Sequence, residues 1–274
     1  MILKLITLAF SVLTSTLVLG SDGVLTIGCT TKCDIFYRFA IRTTAKAHKQ
    51  KVKIIDLSKQ TTINWKELDG ILIPGGADIN PQYYFSSIEP ELVAYTKSLD
   101  YLVNYSKEGK RRDPFEYGLL QDYFNNDTYK NIPILGICRG MQMLAVSQGI
   151  PLYVDIRKEL GIRNRRYIFD IITLEDLPDS VMSQMFEHSF RAFKQHHQGI
   201  RVPYFKENQD RWPHLQVSSY SNKGRIAESL EFKDRPVLGV QFHSEKDFGF
   251  EKHTIFGWFL DKAEEKHKLE TDVL

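Results

Sequence analysis

A buried strand that runs without a loop into a helix is the feature that most constrains this chain. Ile132-Pro133-Ile134-Leu135 is apolar, Gly136-Ile137-Cys138-Arg139-Gly140 follows at once, and Met141 to Gln148 has helical character. A strand that is apolar on both faces belongs to a sheet covered on both sides, and its direct passage into a helix belongs to an α/β fold. Such a turn needs small residues beside its apex, because the apex backbone is strained and neighbouring chain crosses closely. Gly136 and Gly140 supply that room, and the apex residue is Cys138.

Other segments extend the same pattern. Val24 to Ile27, Val52 to Leu57 and Gly70 to Ile73 are short apolar runs, and Asp34 to Gln50 carries Phe36, Ala40, Ile41 and Ala45 at helical spacing. Their alternation predicts a doubly wound α/β fold, a mostly parallel sheet with helices on both faces and a nucleophile elbow at Cys138. Asp113-Pro114-Phe115-Glu116 predicts a helix start, since an N-cap carboxylate, a first-turn proline and a glutamate three residues on resemble a capping box. Tyr84 to Arg112 is weakly patterned and of the length of a lid or binding insert. Arg157 to Asp234 is irregular, with short alternating pieces such as Arg225 to Phe232, and its basic run of Arg157, Lys158, Arg163, Arg165 and Arg166 reads as a solvated surface.

With 42% hydrophobic and 26% charged residues, the 274-residue chain has the composition of a globular protein. Lys plus Arg at 36 against Asp plus Glu at 34 is too balanced for a nucleic-acid footprint, so no nucleic-acid partner is expected. Met1 to Gly20 has the order of a secretory signal peptide: Lys4, an apolar run from Leu5 to Leu19, then small residues before Ser21. The expected organisation is therefore a leader over 1–20 and one domain over 21–274, exported to the periplasm or beyond. An uncleaved membrane anchor and a cytoplasmic protein with a misplaced start are the alternatives. The three cysteines, Cys29, Cys33 and Cys138, are too few for a disulfide scaffold and lack zinc-ribbon spacing. Cys29 and Cys33 would pair in an oxidising compartment, but the expected strand-to-helix geometry favours Cys29 in the core and Cys33 at the helix start.

Chemistry concentrates at two places. At a helix N-terminus the free N–H groups favour a thiolate, so Cys138 reads as a nucleophile, with Arg139 adding charge and a backbone amide for an oxyanion. A buried structural cysteine is the alternative. Val237-Leu238-Gly239-Val240 is an apolar strand that delivers Gln241-Phe242-His243-Ser244-Glu245. A cysteine nucleophile needs a base, and the base needs an orienting acceptor. His243 and Glu245 fit these tasks, because residues i and i+2 of an extended segment project to one side. His196 and His197 are adjacent, point apart on extended chain and have no further ligand at metal spacing, so no metal or other cofactor is expected.

Gly136-Ile137-Cys138-Arg139-Gly140-Met141-Gln142 together with Gln241-Phe242-His243-Ser244-Glu245 resembles the class I glutamine amidotransferase family. Ile73-Pro74-Gly75-Gly76-Ala77-Asp78-Ile79-Asn80-Pro81, Arg112-Asp113-Pro114-Phe115-Glu116 and His196-His197-Gln198-Gly199-Ile200 resemble its gamma-glutamyl-gamma-aminobutyrate hydrolase branch. The resemblance extends over about residues 24 to 260 with the motifs in order. It implies a Cys-His-Glu triad of Cys138, His243 and Glu245 and an oxyanion hole from the backbone of Gly76 and Arg139. It further implies contact of Gln142 with a glutamyl group, and a substrate cleft lined by His196, His197 and Gln198. The implied activity is hydrolysis of a small gamma-glutamyl amine or peptide. A glutaminase component feeding ammonia to a synthase partner, and a non-catalytic binding protein, are the alternatives; whether the chain forms a homodimer stays open. Two features depart from the branch: Ser244 stands where proline is usual, and a leader is unexpected among enzymes of cytoplasmic amines.

Overall fold

A computed structural model describes residues 23–162, 168–247 and 250–271. The signal-like residues 1–20 and Arg163, Arg165 and Arg166 lie outside the described residues, while Arg157 and Lys158 are exposed. The first half of the chain forms β1 (Val24–Cys29), α1 (Ile35–Ala47), β2 (Lys51–Asp56), β3 (Gly70–Ile73), α2 (Pro90–Ser98), α3 (Lys107–Phe124), β4 (Ile134–Ile137) and α4 (Arg139–Ser147). There follow β5 (Leu152–Tyr153), α5 (Ile156–Leu160), β6 (Ile168–Leu174), α6 (Val181–Met185), β7 (Ser189–Lys194), β8 (Gly199–Ile200) and α7 (Val202–Glu207). β9 (Leu215–Ser221), β10 (Ile226–Phe232), β11 (Val237–Val240) and α8 (Phe250–Thr271) complete the order.

Nine strands join in one sheet, β2-β1-β3-β4-β11-β10-β9-β6-β7. From β2 to β11 the pairing is parallel, as the α/β pattern predicts; from β11 to β7 it is antiparallel. β5 and β8 make a separate short ladder. Alternate strand residues feed two cores. Ile71 and Ile73 pack with Leu119, Tyr123 and Leu144 of α3 and α4, whereas Leu72, Leu135 and Ile137 pack with Ile41 of α1 and Phe256 and Phe259 of α8. Helices thus cover both faces of the parallel half.

The helix predicted to begin at Asp113 begins at Lys107 instead, capped by Ser106, whose hydroxyl accepts from Gly109 N. Pro114 lies inside it, where a proline removes a helical hydrogen bond at a cost of about 3 kcal/mol. The helix continues through it because Arg112, Asp113 and Glu116 are all buried and held by ion pairs and hydrogen bonds, so their tertiary contacts override the local signal. Residues 84–112, expected as a loop-like insert, hold the end of a 3-10 helix that starts at Pro81, α2, a second 3-10 turn and the start of α3, and Tyr84 is buried in the core.

Cys29 and Cys33 form a disulfide, correcting the expectation that they stay apart. The turn from β1 toward α1 brings their Cα atoms to 6.0 Å, within the reach of a bridge. Asp34 then caps α1 by accepting from Phe36 N and Tyr37 N. Among the described residues no helix is long and apolar enough to cross a membrane.

Alkylation of the denatured, unreduced protein is expected to modify Cys138 alone, and reduction to expose two further thiols; intact-mass spectrometry reads both states. Closing so short a loop stabilises the fold by about 2 kcal/mol in the chain-entropy account, so a reductant should lower the denaturation midpoint while leaving folding cooperative.

Candidate active site

β4 ends at Ile137, and Cys138 stands at the N-cap position of α4 with φ 53° and ψ −104°. A side-chain-bearing residue in that region is strained, at a typical cost of about 1–3 kcal/mol, and the surroundings must hold it there. Its amide donates to Val240 O of β11 at 2.7 Å. A Cβ on Gly140 would fall 2.0 Å from Ile73 O, and one on Gly136 would fall 2.7 Å from the Gly140 carbonyl carbon. The flanking glycines are therefore required by backbone crossing. Cys138 is a free thiol, 5% exposed, with Sγ 3.8 Å from Gln195 O.

His243 follows β11 and donates its amide to Phe193 O of β7 at 2.8 Å, which ties the end of the antiparallel half back over the parallel strands. Its Nδ1 lies 2.6 Å from Glu245 Oε1, and the imidazole interacts electrostatically with Cys138. Sequence spacing expected this reach along an extended segment. The segment is instead a 3-10 turn, Ser244–Lys246, and the turn folds the buried Glu245 carboxylate back onto the ring. Burial alone would lower the His243 pKa; the neighbouring Cys138 and then Glu245 outweigh that and push it up to about 10. The imidazole is accordingly protonated at neutral pH.

The loop after β3 lies directly against this pair. A Cβ on Gly75 would sit 3.0 Å from both His243 Cε1 and the Tyr37 hydroxyl oxygen and 3.5 Å from Cys138 Cβ. Tyr37 of α1 accepts a hydrogen bond from Gly75 N at 2.9 Å. No sequence pattern marked this tyrosine, which the N-cap at Asp34 and the packing of α1 bring to the site.

The Arg139 guanidinium was expected to add positive charge beside the thiol. It is fully buried and paired with Asp113 and Glu116, so its charge is neutralised there and only its amide remains at the elbow. Gln142, expected to meet a glutamyl group, is 3% exposed and donates to Gln198 O at 2.9 Å and Gln241 Oε1 at 3.2 Å. The Gln198 side chain accepts from Ile79 N at 3.0 Å. His197 lies between Asp78 at 2.6 Å and Asp155 at 3.2 Å, and His196 Nδ1 is 3.0 Å from Gln198 O. These four side chains thus brace the 195–198 segment and its neighbours. Beneath the segment, Lys194 is buried against Glu228 at 2.9 Å and Ser221 at 2.7 Å. Burial would raise the Glu228 carboxyl, but Lys194, His196 and Ser221 hold it at about 2. Among the described residues no group of three His, Cys, Asp or Glu side chains is placed to hold a metal ion.

A mixed sheet whose parallel half carries a strained cysteine elbow and an adjacent histidine-glutamate pair matches the class I glutamine amidotransferase-like fold. The sequence pattern of the Peptidase C26 family matches residues 52–245, and the chain belongs to that family. Protein NtpR of Enterococcus hirae is 28% identical over 187 residues, 65% of this chain and 67% of its own length. The crystal structure of a glutamine amidotransferase from Thermotoga maritima superposes with a TM-score of 0.51 at 18% identity, covering 89% of this chain and 85% of that one. A glutamine amido transferase from Methylobacillus flagellatus gives 0.55 at 10% identity, covering 87% and 94%. At such identities the two structures speak for the fold.

Ser244 opens the 3-10 turn with its hydroxyl buried and without a hydrogen-bond partner. Proline suits the first position of a helical turn, and His243, at ψ 78°, already has the non-helical backbone that a following proline requires. Ser244→Pro is expected to keep the iodoacetamide reactivity of Cys138 and to raise the melting temperature by about 2 °C, as restriction of the unfolded chain does. Differential scanning calorimetry with timed alkylation checks both.

Proposed function

We propose that this chain is a cysteine hydrolase of the gamma-glutamyl amide bond, acting on a small gamma-glutamyl amine or peptide through a gamma-glutamyl thioester. The observation that carries the reading is the Cys138–His243 pair at the elbow with the buried Glu245 carboxylate 2.6 Å from His243. Membership of the C26 family supports hydrolysis, and the branch motifs at 73–81, 112–116 and 196–200 support gamma-glutamyl specificity. The signal-like residues 1–20 and the Cys29–Cys33 disulfide favour an exported enzyme.

In this mechanism the Cys138 thiolate attacks the gamma carbonyl carbon, and the backbone amides of Gly76 and Arg139 receive the oxyanion. His243 gives its proton to the departing nitrogen as the C–N bond breaks, leaving the thioester and a neutral histidine. Water then attacks the thioester while His243 takes its proton. The C–S bond breaks, glutamate departs, and the thiolate-imidazolium pair is restored. Glu245 remains a carboxylate throughout and holds the ring by Nδ1. The polar 195–198 segment, braced by Gln142, His196, His197 and Gln198, frames the glutamyl end of the substrate.

The wild-type protein should release glutamate from gamma-glutamyl amines faster than from glutamine, and Cys138→Ala should release none while melting normally. Glutamate release across a substrate panel is the measurement. Glutamine turnover that requires an added synthase would assign the chain to the ammonia-delivering class instead.

Glu245→Gln keeps one acceptor for Nδ1 and removes the charge that stabilises imidazolium. Turnover should fall by about 10²- to 10⁴-fold with little change in KM. Activity in the wild type should decline as pH rises through about 10, where His243 loses the proton it must donate. Without the Glu245 charge that proton is held less firmly, so the alkaline limb of the variant should move to lower pH. An unchanged limb in the pH–rate profile would leave a Cys-His dyad.

A further inference from the structure

The Arg112–Glu116 motif is buried, charged and close to the elbow, yet the proposed reaction assigns it no task. Arg112 is 2% exposed, and its guanidinium donates to Pro74 O at 2.7 Å and to Gly75 O at 2.8 Å. Its Nε donates to Glu116 Oε1 at 2.9 Å, and Nη1 also pairs with Glu108 at 2.7 Å. Two consecutive carbonyls of the β3 loop are therefore drawn to one side by a single rigid fork.

In a trans peptide the N–H points opposite to the C=O. The first peptide obeys this visibly: Pro74 O faces Arg112 while Gly75 N–H faces Tyr37 on the other side. The second peptide has Gly75 O on Arg112, which turns the Gly76 N–H away from the guanidinium. Gly76 has no room for a side chain on the Arg112 side, since a Cβ would lie 2.3 Å from Nη1, whereas Gly75 approaches Cys138 and His243. Glu116 then links the two donor segments. Its Oε1 accepts from Arg112 and from the Thr30 hydroxyl at 2.6 Å, and its Oε2 accepts from Arg139, whose amide begins α4. Burial alone would raise the Glu116 carboxyl, but Arg139 and Arg112 hold it below the usual range, so it stays charged and grips both.

We propose that Arg112 and Tyr37 are positioning residues that aim the Gly76 N–H into the oxyanion hole, with Glu116 joining that loop to the elbow. The assignment rests on the hydrolase reading above. Released from Arg112, the Gly75–Gly76 peptide would be free to rotate and present a carbonyl oxygen to the developing oxyanion. The loss would then fall on the transition state and spare both substrate binding and the thiolate.

The test compares wild type, Arg112→Lys and Tyr37→Phe, using L-gamma-glutamyl-4-nitroanilide for kcat and KM and iodoacetamide for the reactivity of Cys138. Lysine keeps the charge but cannot serve two carbonyls and Glu116 together, so kcat should fall by about 10²-fold, the scale of one lost oxyanion donor. Tyr37→Phe removes one of the pins and should cost kcat about 10-fold, as a lost hydrogen bond does. KM should stay within about threefold in both, the signature of an interaction made only in the transition state. Displacement of iodide by the thiolate creates no oxyanion, so alkylation rates should match wild type. Equal falls in alkylation and turnover, or a wild-type kcat in Arg112→Lys, would overturn the assignment. If Arg112→Lys does not fold, the near-isosteric Tyr37→Phe decides alone. A wild-type protein that is alkylated but inert on every gamma-glutamyl amide tested overturns the hydrolase reading, and this assignment with it.

Discussion

Glu116 carries a negative charge where no solvent reaches it, and the site is organised around satisfying that charge. Two guanidiniums and a threonine hydroxyl converge on its oxygens, and each belongs to a different structural unit: Arg112 to α3, Arg139 to α4, Thr30 to the turn after β1. Desolvation makes such an arrangement a poor source of net stability, since apolar residues of similar volume often do as well or better. Its effect is geometric. Removing either guanidinium weakens the compensation of a buried charge, and removing the hydroxyl leaves an acceptor unsatisfied, so three segments far apart in sequence are held to one relative position. That also accounts for Pro114 within α3: a break there would release Arg112 from Glu116.

The sheet then places the reacting groups. β3, β4 and β11 are neighbours and run parallel, and their C-terminal ends deliver the Gly75–Gly76 loop, Cys138 and His243 side by side. Open α/β sheets commonly gather ligand sites at that edge. The antiparallel half has a different part to play. Its last strand, β7, returns to bond His243 through Phe193 and leads into Gln195, whose carbonyl lies over Cys138 and whose side chain accepts from Lys246 at 2.6 Å. One half of the sheet presents Cys138 and the other closes over it.

What the sequence revealed follows from which interactions are local. The apolar runs of β1, β3 and β4 and the glycines around Cys138 are legible because a strand buried on both faces and a crowded elbow each leave a short pattern. His243 and Glu245 were legible as a pair by their spacing, although the turn between them was not. The antiparallel half was obscure for a physical reason. β9 and β10 are buried yet carry Ser218, Ser219, Ser221, Glu228 and Ser229, which hydrogen-bond one another across the ladder, so their hydropathy resembles that of a surface. Asp113 imitates a helix cap because its carboxylate is the right type at the right spacing before a proline. Only the distant Arg139 and Asn80 reveal that it serves a tertiary contact.

Under the proposed reaction, charge accounting favours an oxyanion site built from amides rather than a free cation. Cys138, His243 and Glu245 are all buried, and the first turn of α4 offers them the positive end of a helix dipole. Burial, and then the charges of Glu245 and Cys138, push the Tyr37 hydroxyl well above its ordinary range. Tyr37 therefore stays neutral and serves as an acceptor for Gly75 N–H without adding another anion. Under the proposed reaction, nucleophilic attack moves the negative charge from sulfur to a carbonyl oxygen about one bond away and changes no total. A full positive charge at that point would stabilise the resting thiolate as well as the oxyanion and gain little in rate. Fixed amide dipoles discriminate between the two positions because hydrogen-bond strength falls steeply with distance and angle. In the proposed reaction that requirement would be met with Arg139 neutralised against Asp113 and Glu116 and the alignment of Gly76 left to a guanidinium on the far side of the loop.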